Sequence, residues 1–160
     1  MPSGQSKERT KKFERPIIQK LWLTIAIFDL IFLWGFYVRL SSTRKTTVIC
    51  DRYLDDTLLD FRRNFPSSNV EESLLWKVLK AIIPDPEHSF LFWVPVETSM
   101  QRSIEKGEPF PDSKETLEWR LNAYMDVTTF PLDKYILIDG RNPIKNISEK
   151  LYASIKFDLL

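Results

Sequence analysis

An α/β fold, a parallel sheet with helical crossovers, is what this 160-residue chain predicts, on three observations. Short, uniformly apolar runs alternate with amphipathic stretches, the pattern of strands buried on both faces and of the helices that cover them. Hydrophobic residues make up 43% of the chain and aromatics 13%, enough for a real core. Lys and Arg number 23 against 22 Asp and Glu, so the net charge of +1 gives no field that would recommend nucleic acid as a partner. A lone cysteine, Cys50, excludes an internal disulfide, and a lone histidine, His88, excludes a Cys/His zinc site. A reducing, cytoplasmic setting is the expectation.

Residues 1–20 read as a flexible basic lead-in, with Lys7, Arg9, Lys11, Lys12, Arg15 and Lys20 opposed only by Glu8 and Glu14. The apolar stretch Leu21 to Leu40 comes next. It is long enough to span a bilayer, which takes about 20 apolar residues, and a central charge such as Asp29 costs only about 3 kcal/mol there. An ionisable group at mid-membrane needs a partner, however, so a core helix covered on all sides is the expectation and a membrane span the alternative. Residues 21–160 are then one domain.

Within it, Thr46 to Cys50, Ser89 to Val94 and Tyr135 to Ile138 read as buried strands, being β-branched or aromatic and apolar throughout. Glu71 to Ile83 carries Leu75, Val78, Leu79 and Ile82 at helical spacing and ends at Pro84. Thr98 and Gln101 have the form of a capping box, predicting a helix that starts there. Glu115 to Thr129 places Leu117, Leu121, Tyr124 and Met125 on one stripe, and Asn142-Pro143 opens a last helix with Ile144, Ile147, Leu151 and Ile155 inward. The predicted order is α-β-α-β-α-α-β-α.

Chemistry concentrates in Val48 to Thr57, where an apolar run leads directly into Asp51-Arg52. Open α/β sheets bind ligands at strand ends, and an arginine there can hold a phosphate through two parallel N–H contacts while a neighbouring carboxylate orients it. Asp55, Asp56 and Asp60 read as a solvated acidic face, His88 as a structural histidine ahead of a strand, and Phe90, Phe92 and Trp93 as core. No metal site is expected. A phosphate-cradling G-x-x-x-x-G-K-[ST] loop is absent, since Gly4, Gly35, Gly107 and Gly140 have neither the spacing nor the lysine.

The strings VICDRY with Thr57, PDPEHSFLFWVPVETSMQRSIEKGE and YILIDGRNPIKNISEKL, in that order, resemble the thymidylate kinase family. The resemblance implies a partial P-loop kinase-like fold whose N-terminal phosphate-loop portion is missing. It implies transfer of the ATP γ-phosphoryl group to a nucleoside monophosphate in the complete protein, with ATP and Mg2+ as cofactors and no activity in this portion alone. Arg52, Tyr53 and Thr57 would bind the acceptor, Asp51 would position phosphates or metal, and Arg102 and Lys106 would form the lid, with Arg102 also stabilising the transferred group. A homodimer is an open option, while nucleic acid and membrane are not expected partners. The sequence departs from the family at Asp56, Leu59 and Asp60, where a serine, a small residue and a tyrosine are the family's pattern, and at Ile104 and Glu105 in a lid the family makes basic. Two other functions stand beside this one: a non-catalytic kinase-like binding module, and a single-pass membrane protein anchored through residues 21–40.

Overall fold

Proline at the first helical position costs no hydrogen bond and has its φ already set, and Pro16 opens the longest described helix in this way. In a computed structural model, residues 15–43, 46–126 and 132–156 are described. The chain divides into two units, residues 5–85 and the unit built on residues 86–160, each described by itself.

In the first unit, α1 runs continuously over Pro16–Thr43, with π-helical pairing across Ile31–Val38. The predicted lead-in therefore ends earlier, at Arg15, and its residues 1–14 lie outside the described residues. One stripe of α1, formed by Leu23, Ile27, Trp34 and Val38, is buried, and the opposite face is exposed. The expectation of a helix covered on all sides is thus met on one side only. Helix α2, Leu54–Asn64, has Asp55 and Asp56 in its first turn and Arg62 and Arg63 in its last, which complements the helix dipole at both ends. Helix α3, Leu74–Ile82, is preceded by the 3-10 turn Val70–Glu72 and capped by Ser73, whose hydroxyl accepts from the Trp76 N–H at 3.2 Å. Of its predicted stripe Leu79 is fully buried, Leu75 and Ile82 are half-buried and Val78 is exposed, while Trp76 and Ile83 are buried in addition, the indole reaching Phe61 of α2.

Aromatic rings join these helices. Trp22 meets Phe61 at 6.1 Å and Phe65 at 5.2 Å, and Phe61 meets Trp76 edge-on at 5.9 Å. Gly35 lets α1 approach α3, since a Cβ there would lie 2.7 Å from Ile82 Cδ1. The Arg39 guanidinium donates to the Ile82 carbonyl at 2.6 Å, satisfying one of the free carbonyls at the end of α3.

Thr46 to Cys50, predicted as a strand, has no ladder partner among the described residues and forms no strand, and Ile49 is 90% exposed. Strand character needs a neighbour to pair with as well as an apolar β-branched run, and both described strands belong to the other unit.

The second unit holds the sheet. Strands β1 (Phe90–Trp93) and β2 (Ile136–Asp139) pair in parallel, with Phe90 opposite Ile136 and Trp93 opposite Asp139. Ile138, 1% exposed, is the centre of its core. Between the strands lie α4 (Val96–Glu105) and α5 (Lys114–Met125), the crossover a parallel pair requires, and α6 (Ile144–Lys156) follows β2. Helix α4 starts before the predicted Thr98 box because Pro95 supplies its entry, and α5 is capped by Ser113. Residues 127–129 of the predicted helix Glu115 to Thr129 lie outside the described residues. Gly107, at φ 62°, ends α4 in the left-handed conformation, with the Glu108 N–H donating to the Ser103 carbonyl at 3.1 Å. On α6, Ile147 and Leu151 are half-buried as predicted, whereas Ile144 and Ile155 are exposed.

Candidate functional site

Asp51 and Arg52 form the bend between the Thr46 to Cys50 segment and α2, and both are exposed. Arg52 adopts φ 68°, the left-handed region in which a side chain is strained. Its guanidinium is held by α2: Nη1 lies 3.3 Å from Asp60 Oδ2, and Nε 3.7 Å from Asp56 Oδ1. Residues four apart share a helix face, so Asp56 and Asp60 present their carboxylates side by side beneath the bend. The expected pairing of Arg52 with Asp51 is therefore replaced by pairing with Asp56 and Asp60.

Tyr53 stands at the N-terminal boundary of α2. Its N–H donates to Asp56 Oδ2 at 3.2 Å, its hydroxyl donates to the Pro84 carbonyl at 3.0 Å, and its ring lies 4.7 Å from that of Trp34. These contacts make Tyr53 a fixed post between α1, α2 and the end of α3. Burial, and then negative charge at Cys50 and Asp85, pushes its hydroxyl up to about 12. A raised value means the folded state holds its proton longer than the unfolded chain, whose tyrosines titrate near about 10. The associated stability is whole below about pH 10 and lost as pH rises through about 12. An ultraviolet titration of the five tyrosines is expected to show one ionising last, and Tyr53→Phe to remove that phase. Thr57 is half-buried in the first turn of α2, its N–H donating to the Tyr53 carbonyl at 3.1 Å. Asp51, Arg52, Tyr53 and Thr57 are thus brought together within the first unit.

Arg102 and Lys106 belong to the second unit, on α4 and just past it. They border a cleft of about 550 Å³ beyond the C-terminal ends of β1 and β2, where parallel sheets take their ligands. Phe92 and Ile144 supply its apolar wall, and Glu105 places a carboxylate among the cations. Arg102 is partly engaged in structure, since Nη2 donates to the Gly140 carbonyl at 2.9 Å. Gly140 is itself tightly placed, with its N–H donating to Trp93 O at 2.9 Å and no room for a side chain, a Cβ meeting Val94 Cγ1 at 2.7 Å.

Beside it, Arg141 grips the Asp139 carboxylate at 2.7–3.1 Å and lies over the Trp93 ring at 5.0 Å. The Arg141 hydrogen bonds hold the Asp139 carboxyl down at about 2. Residue type and spacing do not single out this clamp at the sheet edge, although Asp-Gly-Arg directly after an apolar run is the available signal.

Among the described residues no group of three or more His, Cys, Asp or Glu side chains is gathered to hold a metal ion. Nor does the sequence contain a glycine cradle for the β- and γ-phosphates of ATP. No family model matches the chain, and neither a curated protein nor a solved structure matches it.

Proposed function

We propose that this chain is the acceptor and lid portion of a nucleotide kinase of the thymidylate kinase type, with a P-loop kinase-like fold when complete and a cytoplasmic location. The observation that carries this reading is Arg52. A non-glycine residue held in the left-handed region costs of order 1–3 kcal/mol, and such strain clusters where function requires a side chain at a fixed place. Here it sets a half-exposed guanidinium directly after the apolar segment, in the position where it would receive the monophosphate of a nucleoside monophosphate. Asp51 stands beside it to orient the incoming phosphates. Arg102 and Lys106 would bring positive charge to the transferred phosphoryl group, and the cleft they border has room for a nucleotide-sized ligand.

The full protein is expected to bind thymidine, uridine or guanosine monophosphate in a calorimetric titration, and not the corresponding nucleosides, because the phosphate is the group Arg52 addresses. The 160-residue chain by itself is expected to show no phosphotransfer from ATP, since positioning of the donor phosphates supplies most of the catalysis of this reaction. Failure to bind any of the three monophosphates would overturn the reading. A second reading, a kinase-like binding module without catalysis, is favoured by Arg102, whose guanidinium is engaged by the Gly140 carbonyl. Turnover of a monophosphate by the complete protein, above an Arg52→Ala control, would exclude that second reading.

A further inference from the structure

We infer that the outward face of α1 lies in the surface of an anionic lipid bilayer, holding the protein on the membrane without spanning it. Ile17, Leu21, Ile25, Phe28, Phe32 and Phe36 recur every three or four residues along that face and are 55–81% exposed. Six side chains of this size present on the order of 800 Å² of apolar surface. The largest apolar patch of an ordinary monomer is about 300–600 Å², and a larger one marks a surface that is covered in use.

Charge selects the occupant. Residues 1–20, which lead directly into this face, carry six Lys and Arg against two Glu, a net +4, whereas residues 21–160 carry 17 against 20, a net −3. The near-neutral total is therefore a basic segment beside the apolar stripe and an acidic remainder. Anionic lipid binds that combination, with the cations against its headgroups and the apolar side chains pressed in between them. A second copy of the face would bring the same cations with it and offers no complementary charge.

Packing sets the depth. The buried stripe of α1 is docked along its length, with Trp22 against Phe61 and Phe65 at the end of α2 and Trp34 against Tyr53. A bilayer-spanning α1 would carry α2, with Asp55, Asp56, Arg62 and Arg63, into hydrocarbon, or else break these contacts. Lying in the interface buries only the outward side chains, to about 5–10 Å, and leaves α2 and α3 in water. Asp29, the one charge between Leu21 and Val38, is exposed, and at the level of the headgroups it keeps the hydration that mid-membrane would remove. Membrane docking does not depend on the kinase reading, because none of these residues belongs to the candidate site.

Flotation of the full protein with lipid vesicles tests it. The protein is expected to rise with phosphatidylcholine vesicles that contain phosphatidylglycerol, and to bind phosphatidylcholine alone at least about tenfold more weakly. Replacing Lys7, Arg9, Lys11 and Lys12 together by Gln is expected to weaken binding to the mixed vesicles about 100-fold or more, since each cation near an anionic surface contributes about fivefold. Phe28→Glu with Phe32→Glu is expected to abolish flotation while leaving the helical circular dichroism unchanged. Ile104→Glu, which charges an exposed apolar residue of the second unit, is the control and should float like the parent. In a Cys50→Ser background, an environment-sensitive fluorophore attached at Phe32→Cys is expected to shift to the blue on adding mixed vesicles, and one attached at Ile104→Cys is not, a readout that stands even if the double glutamate variant fails to fold. A parent that stays in solution beside the mixed vesicles, as monomer or as dimer, equal binding to both kinds of vesicle, or bound protein that alkaline carbonate does not strip would each overturn the inference, the last because it marks a span.

Discussion

Replacing Trp76 by alanine is expected to destabilise the first unit by about 3–5 kcal/mol, the scale of the largest cavity-forming substitutions in protein cores. Trp76 is 2% exposed and meets Phe61 at 5.9 Å, in a unit whose Leu59 and Leu79 are likewise fully buried, at 1% and 0% exposed. Removing the indole takes away its transfer free energy and leaves a cavity that cannot collapse, because the ring opposite is fixed from behind by Trp22. Domains of this size hold only about 5–15 kcal/mol in total, so the loss takes a large share of the folded state's margin. Urea unfolding followed by far-ultraviolet circular dichroism measures it independently of the missing fluorophore. Trp76→Phe, which retains an aromatic partner for Phe61, should lose distinctly less. An unchanged midpoint for the alanine variant would mean that the helices are not held together by this ring.

The second large effect is on binding. Arg52→Lys is expected to weaken monophosphate binding by about 1–3 kcal/mol, the scale of a charge-assisted hydrogen bond, because an ammonium offers a point charge where the planar guanidinium offers paired donors. Its present partners, Asp56 and Asp60, are at the longer end of ion-pair distances and are partly solvated, so a phosphate can displace them. Arg52→Gly separates fold from function. Glycine accepts φ 68° without the left-handed penalty of about 1–2 kcal/mol, so stability should be kept or slightly raised while binding falls as far as in Arg52→Ala. Titrations of all three variants with the same monophosphate decide the matter. If they bind as tightly as the parent, Asp51-Arg52 is a surface bend and the kinase reading loses its most specific residue.

Helices are more legible in this sequence than strands. The apolar stretch from Leu21, the stop at Pro84 and the opening at Pro143 are local signals, and each corresponds to a helix boundary or body in the structure. Helix α2 is absent from the predicted order, although Asp55 and Asp56 in its first turn and Arg62 and Arg63 in its last are a dipole signal. Its start directly after Asp51-Arg52 makes the acidic residues resemble a solvated loop when read by residue type alone. Sheet pairing is decided between residues far apart in sequence, which is why Ser89 to Val94 and Tyr135 to Ile138 became a ladder while Thr46 to Cys50, equally apolar, did not. At the site, Arg52 could be singled out from residue type alone. Its left-handed backbone and its capture by Asp56 and Asp60 could not, since both depend on where α2 begins.

The segment Thr46 to Cys50, without a ladder partner among the described residues, bears on how the protein survives at high concentration. Five residues without charge or proline, β-branched at four positions, outside any described ladder and with Ile49 exposed, have the composition from which cross-β stacking grows when like segments meet. In sequence the segment is bracketed by Arg44 and Lys45 on one side and by Asp51 and Arg52 on the other. Charges so placed act as gatekeepers: stacked in register, each copy would set its cations against the cations of the next. Arg52 therefore bears on the protein's solubility as well as on the recognition proposed for it, and neutralising the flanking cations removes a barrier to fibril nucleation that the fold itself does not supply.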